Sequence, residues 1–145
     1  MKKSEITDIQ TLPKQTTTRD GSTYHVQATS SEGLLQKCHA NIVEVEPGST
    51  AYGYHYHEAN EEIFYIIKGE GIIETVDGEI SVKAGNIISF PTGAGGAHVI
   101  KNPSTDQTLT YLDFSTHSDV EVAHLPKINK IMVISKEVFG VFDKP

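Results

Sequence analysis

The stretch H-Y-H-E-A-N-E-E-I-F-Y-I-I-K-G-E-G, from His55 to Gly71, decides how the rest of the chain is read. His55 and His57 stand two apart, and on a β-strand residues i and i+2 share a face. Two imidazoles therefore project together. Four residues intervene, with small Ala59 and turn-prone Asn60 at their centre, before Glu62 opens the run Ile63-Phe64-Tyr65-Ile66-Ile67. That run is β-branched and aromatic, as strands are. The spacing predicts a hairpin that returns Glu62 to the side of His57. Glu61 could take its place only after a one-residue slip. Two neutral imidazoles and a carboxylate aimed at one point form an incomplete metal site. Such donors suit Fe, Mn, Ni, Zn or Cu better than Ca or Mg.

Downstream, Gly85-Asn86-Ile87-Ile88-Ser89-Phe90-Pro91-Thr92-Gly93 leads to His98 and Asn102. Together the two stretches resemble the paired motifs of the cupin superfamily. The first, H-x-H-x4-E-x6-G, is carried by His55, His57, Glu62 and Gly69. The second, G-x5-P-x-G…H-x3-N, is carried by Gly85, Pro91, Gly93, His98 and Asn102. Two departures stand out: Gly48 lies one position early, and four residues separate Gly93 from His98 where the pattern has two. The resemblance spans residues 43–115. It implies an all-β double-stranded β-helix, a jelly-roll barrel. It also implies one divalent transition metal (Fe, Mn, Ni or Zn) bound by His55, His57, Glu62 and His98. With Fe or Mn, such proteins are oxygenases; with Zn, Ni or Mn as a Lewis acid they are isomerases, lyases or hydrolases. The run F-P-T-G-A-G-G-A-H, Phe90 to His98, is similar to small single-domain bacterial cupins. Some of these carry a sugar-phosphate isomerase label, a fold-level analogy of low weight.

The rest of the chain fits a barrel. Its 145 residues suit one domain with a full core. Three segments are expected: an N-terminal arm over 1–22, the barrel over 23–118, and a C-terminal extension over 119–145 packing on the barrel. Strands are expected at 24–28, 35–46, 87–90, 97–101 and 109–115, with a hairpin at Asp77-Gly78 and a strand-like Ile131-Met132-Val133-Ile134 in the tail. No segment keeps a capped 3.6-residue apolar period. The net charge of −7 argues against nucleic acid and anionic membranes as partners. No apolar run reaches 18 residues, and Met1-Lys2-Lys3-Ser4-Glu5-Ile6 leads into no signal-peptide core. The single cysteine, Cys38, excludes an internal disulfide, suits a reducing cytoplasm, and reads as a small buried hydrophobe.

Alternation places Phe64 and Ile66 on the face of Glu62, and Ile100 on the face of His98. These would line an apolar pocket around a few polar groups, as small-molecule sites do. His39 shares a face with Val43 and Val45 and is a candidate lining residue, although a strand-end histidine weighs more. Tyr56 has the opposite parity to the paired histidines and should face away from the metal. The loop Gly93 to Gly96 precedes no helix, so it reads as a rim and not as a phosphate cradle. His25, His117 and His124 belong to no ligand pattern. No nucleophile is evident, and no catalytic residue can be named. The resulting expectation is a mononuclear metalloenzyme acting on a small polar metabolite. The alternative is a non-catalytic barrel that binds or senses a small ligand. The outward row Ile63, Tyr65 and Ile67 suggests a homodimer.

Overall fold

The computed structural model describes Met1 to Pro145 and contains thirteen strands and two short 3-10 turns. The strands are β1 (Gln15–Arg19), β2 (Ser22–Ala28), β3 (Cys38–Val45), β4 (Thr50–His57), β5 (Glu62–Lys68), β6 (Glu70–Thr75) and β7 (Gly78–Lys83). They continue with β8 (Ile87–Phe90), β9 (His98–Lys101), β10 (Leu109–Thr116), β11 (Val120–Leu125), β12 (Lys130–Ser135) and β13 (Phe139–Asp143). One sheet runs β1-β2-β3-β10-β5-β8 and the other β13-β12-β11-β4-β9-β6-β7. All the pairings are antiparallel. Between β3 and β6, and again between β8 and β10, the chain changes sheet at every connection. That alternation is the double-stranded β-helix expected from the sequence. No helix is long and apolar enough to cross a membrane.

The crossing overturns one local expectation. His55–His57 and Glu62 are not joined by a hairpin: β4 pairs with β9 and β11, whereas β5 pairs with β10 and β8. The four-residue link 58–61 instead passes from one sheet to the other. Its orphan N–H groups are collected by the buried carboxylate of Glu121 on β11. Oε1 accepts from the backbone of Glu58 (3.0 Å) and Ala59 (3.2 Å), and Oε2 accepts from Asn60 (2.7 Å). A tight two-residue turn was therefore unnecessary; a buried acceptor from outside the motif satisfies the link. The Asp77-Gly78 hairpin forms one residue earlier than expected. Its turn residues are Val76 and Asp77, with Gly78 at φ 112 closing the pair with Thr75.

Burial follows the alternation. On β5, Glu62, Phe64 and Ile66 are buried while Ile63, Tyr65 and Ile67 are about two-fifths exposed. The apolar core gathers Val43, Val45, Ala51, Phe64, Ile66, Ile73, Ile100, Leu109 and Tyr111 from both sheets. Residues 1–14 lie over the outside of the first sheet. Gln27 Nε2 donates to the carbonyls of Ile9 (2.7 Å) and Leu12 (2.8 Å), and Glu5 accepts from Ser31. β1 joins β2 through Asp20-Gly21, both at positive φ, as a type I′ hairpin requires. Residues 120–143 add three strands to the second sheet beside β4.

Replacing Glu121 by alanine strands the buried Asn60 N–H and takes an acceptor from the part-buried N–H groups of Ala59 and Val122, while the Glu58 N–H keeps Val122 O. A stranded buried donor costs roughly 1–3 kcal/mol, so Glu121→Ala is expected to lower unfolding free energy by about that amount in urea titration. Glu121→Gln, which keeps one acceptor oxygen, should lose less.

Candidate metal centre

Glu62 begins β5, and its carboxylate enters the barrel where β4 and β9 run side by side. Three imidazoles meet it there. His57 Nε2 and His98 Nε2 each lie 3.3 Å from Glu62 Oε2, and His55 Nε2 lies 3.8 Å from it. The ligand atoms of His55, Glu62 and His98 all fall within 4.8 Å of one another, a His/Glu/His cluster able to hold a metal ion. His55 and His98 are direct register partners on adjacent strands. His57 shares the carboxylate but stands outside that tightest trio. The register of β4 with β9 slips between Ala51 and His55, at a bulge that includes Tyr52 at φ 57. β4 spends four positions there, from Ala51 to His55, against two on β9, from Ile100 to His98.

The ring orientations suit a cation. A carbonyl oxygen can only accept, so the ring nitrogens facing Gly53 O (2.7 Å from His55 Nδ1) and Gly96 O (2.8 Å from His98 Nδ1) must donate. The Nε2 lone pairs of His55 and His98 are then free toward Glu62, the arrangement that ligating histidines use. His57 Nε2, His98 Nε2 and Glu62 Oε2 are buried and make no hydrogen bond within the protein. Buried polar atoms left this way ask for a partner, and a divalent ion answers all of them. Phe90 stacks on His98 at 3.6 Å between ring centroids, and Phe64 meets it edge-on at 5.3 Å. The His98 side chain is 1% exposed, against 14% for His55 and 17% for His57. Approach is therefore from the His55–His57 side.

Electrostatics agree. Burial, reinforced by the charge of His55, pushes His98 down to about 4, so its ring is neutral near pH 7. Burial also lowers His55. Burial pulls on His57 as well, but the adjacent Glu62 and the charges of Glu121 and Asp113 outweigh it and raise this ring. Burial pushes Glu62 up, and its histidine neighbours more than reverse that, so the carboxylate is held below its ordinary range.

The two extra residues between Gly93 and His98 are absorbed by a 3-10 turn at Ala94–Gly96. Gly96 is packed on Pro91 so closely that a Cβ would lie 1.9 Å from Pro91 O. The backbone of Gly93 donates to His57 O at 2.7 Å, tying the second motif to the first. Gly69 and Asn102 serve the far end of the barrel. Asn102 Nδ2 donates to Val45 O (2.9 Å) and Gln107 O (2.8 Å), and a Cβ on Gly69, at φ 87, would meet Thr108 O at 2.9 Å. Glu61 is exposed, with its backbone bonded to Thr116, so it does not stand in for Glu62.

A family model described as a cupin domain matches residues 41–115, just over half of the chain. The chain belongs to the cupin family. An oxalate-binding protein of Thermotoga maritima is 37% identical over 60 residues, which cover 41% of this cupin and 47% of that protein. This cupin thus spans about half the length of the curated relative it matches. A sugar phosphate isomerase of the cupin superfamily from Silicibacter pomeroyi superposes with a TM-score of 0.85 at 21% identity, covering 97% of this chain and 93% of that one. A protein of Acidithiobacillus ferrooxidans, provisionally assigned as a sugar phosphate isomerase, gives a TM-score of 0.72 at 25% identity, covering 82% and 76%. At such identities the structural likeness speaks for the fold.

The remaining candidates are distributed around this cupin's site. Phe64, Ile66 and Ile100 are buried at 2%, 0% and 1% within the core below it. His39 is exposed at the start of β3, with its ring 6.2 Å from that of His117. Tyr56 faces the other side and stacks flat on His124 at 4.4 Å, while His124 Nε2 meets Glu58 Oε1 at 2.6 Å. His25 is held between Thr16 and Glu46. Sequence reasoning missed Asp113. It is 6% exposed on the inner row of β10, two residues from Tyr111. The inward parity shared with Leu109 and Tyr111 was its only signal. Burial, aided by the charge of Glu62, pushes the Asp113 carboxyl up to about 7.

Because Asp113 has a raised value, the folded protein holds a proton there between its ordinary 3.8 and about 7, where the unfolded chain has released it. Stability falls as pH rises through that window. Asp113→Asn removes the effect. The gap in unfolding free energy between this variant and wild type, both metal-free, should widen by on the order of 2 kcal/mol from pH 5 to pH 8. A gap independent of pH would mean an ordinary carboxyl.

Proposed function

We propose that this cupin is a mononuclear metalloenzyme acting on a small polar metabolite, with one divalent transition metal held by His55, His57, Glu62 and His98. The observation that carries the reading is the convergence of three imidazole Nε2 atoms on one buried carboxylate oxygen, at 3.3, 3.3 and 3.8 Å. These residues would supply four donors, and an ion held by them would keep room for a substrate or water. When bound, the ion supplies Lewis acidity or, with Fe or Mn, redox chemistry. The protein's own contribution is to hold His55 and His98 neutral and oriented, to keep His57 beside the Glu62 carboxylate, and to wall one side with Phe64 and Phe90. The half-open histidines, His55 and His57, face the side from which the substrate arrives. In this reading His39, at the start of β3 and opposite Ser115 in register, borders the entrance; its register partner supports that role. The related oxalate-binding and sugar phosphate isomerase proteins agree with a small polar ligand as a class.

Elemental analysis by mass spectrometry, on protein purified without a metal-affinity column, tests the reading. About one equivalent of Fe, Mn, Ni or Zn per chain is expected, and His98→Ala should weaken retention by more than about tenfold. Fe or Mn directs the substrate search to oxygen-dependent reactions, and Zn or Ni to isomerisation or hydrolysis. Wild-type protein that contains no metal and takes none up overturns it.

We also propose that the chain is a homodimer. Ile63, Tyr65 and Ile67, joined by Ile87 beside Tyr65, form an apolar strip 41–68% exposed on one outer sheet face. A strip of this kind is commonly covered by a second subunit. Light scattering at micromolar concentration should give twice the chain mass, and a monomer removes the proposal.

A further inference from the structure

The interior around the metal cluster is unusual in its charges. The buried ionisable side chains include three carboxylates, Glu62, Asp113 and Glu121, and not one lysine or arginine. Glu121 is fully engaged by backbone N–H groups. Glu62 is turned toward the histidines. Asp113 is different. Its Oδ1 is buried and accepts no hydrogen bond from the protein, and the same is true of the hydroxyl of Tyr111 one inward position below it. Asp113 sits level with Phe64 on β5 and Asn41 on β3. The next inward residue, Ser115, sits level with Glu62. The inner row of β10 therefore climbs from Leu109 and Tyr111 in the core to Asp113 and Ser115 at the height of the metal cluster. Along that row, Asp113 Oδ1 and the Tyr111 hydroxyl are the polar groups left without partners.

At pH 8 Asp113 is ionised, and a carboxylate beside a metal site accepts hydrogen bonds and offers none. Its complement is a ligand O–H. A phosphate or a second ligand carboxylate brought to the same place would face Asp113 and Glu62 with no guanidinium or ammonium to receive it. Phosphate sites usually supply one. Like charges held close in a low-dielectric interior repel strongly. The aligned oxalate-binding stretch and the sugar phosphate isomerase likeness would suggest the opposite kind of ligand, a dianion.

We infer that Asp113, with the Tyr111 hydroxyl, is the specificity-determining group of this site: it selects a hydroxyl-bearing small molecule with at most one negative charge, a hydroxy acid or unphosphorylated sugar, and rejects dianions. The inference rests on the metal-centre reading. The ligand's carboxylate or carbonyl oxygens occupy the ion's open positions, and an adjacent hydroxyl donates to Asp113.

Glycolate and oxalate test it, since they differ only in a CH2OH group against a carboxylate. Isothermal titration of the Mn(II)-loaded full chain at pH 8 gives both affinities in wild type, Asp113→Asn and Tyr111→Phe. In Asp113→Asn, oxalate affinity should rise about tenfold and glycolate affinity fall about tenfold, a change of about 1.4 kcal/mol each way. In Tyr111→Phe, glycolate should weaken several-fold with oxalate unmoved. Equal changes for both ligands, no change for either, or no binding of either by metal-loaded protein overturns the inference while leaving the metal centre standing. Absence of metal from the loaded wild type, measured on the same sample, overturns the metal-centre reading itself and the inference with it.

Discussion

A carboxylate buried beside three imidazoles is a demanding arrangement, and much of this fold can be understood as the means of holding it. Removing Glu62 from water carries a desolvation cost that only a cation or protonated partners can offset. Without an ion the offset comes from the histidines, and their proximity holds the carboxylate below its ordinary range despite its burial. The same proximity forces the three rings to respond differently. His98, wholly enclosed against Phe90, is held neutral, while His57, nearer Glu121 and Asp113, is the ring most ready to hold a proton. A divalent ion would replace that uneven protonation with one charge at the centre. The cluster is thus organised for a cation before one arrives.

Holding Glu62 opposite the histidines requires the two sheets to stay in register with each other across 58–61, and no main-chain ladder bridges them there. Polar side chains do the joining. Glu121 reaches from β11 to the backbone of Glu58, Ala59 and Asn60, and its Oε2 also lies 3.7 Å from His57 Nδ1. On the other side, Gly93 donates to His57 O. At the opposite end Asn102 spans β3 and the 102–107 loop. The residues 120–143 therefore do more than enlarge a sheet: one of their strands carries the acceptor that fixes the crossover between the paired histidines and Glu62. Deleting them would expose the site's own support.

These arrangements were legible to different degrees. Parity on β5 is a local property, so Phe64 and Ile66 could be placed inward and Tyr65 outward from alternation alone. The pairing of His55, His57 and Glu62 on one centre was legible from spacing, yet the route was not: four residues can close a hairpin or cross a barrel, and the choice is made by Glu121, 59 residues after Glu62. The strand β1 was hidden because Gln15 to Arg19 is exposed throughout and carries no apolar pattern. Its single clue was Asp20-Gly21, which a hairpin needs and a plain loop does not. The two added residues before His98 looked like a disturbance of its approach; Gly96, where a Cβ would lie 1.9 Å from a carbonyl oxygen, packs them away in a 3-10 turn.

Asp113 was invisible for a related reason. On β10 it follows Tyr111 and Leu112 and precedes Phe114, a run whose alternation predicts a buried position where a carboxylate is costly. Its neighbours supply no lysine or arginine, and burial with the charge of Glu62 pushes it toward its neutral form. For folding alone, an asparagine would serve better and a valine would extend the core. A buried carboxyl with one oxygen left unpartnered is the observation from which its role toward a ligand was inferred. The apolar layer beneath, Val43, Val45 and Ile66, is packed to complete burial and affords the stability against which one buried carboxyl is tolerated. The division is physical: the barrel's lower half is closed by apolar packing, and its upper half gathers buried polar groups that the protein leaves without partners.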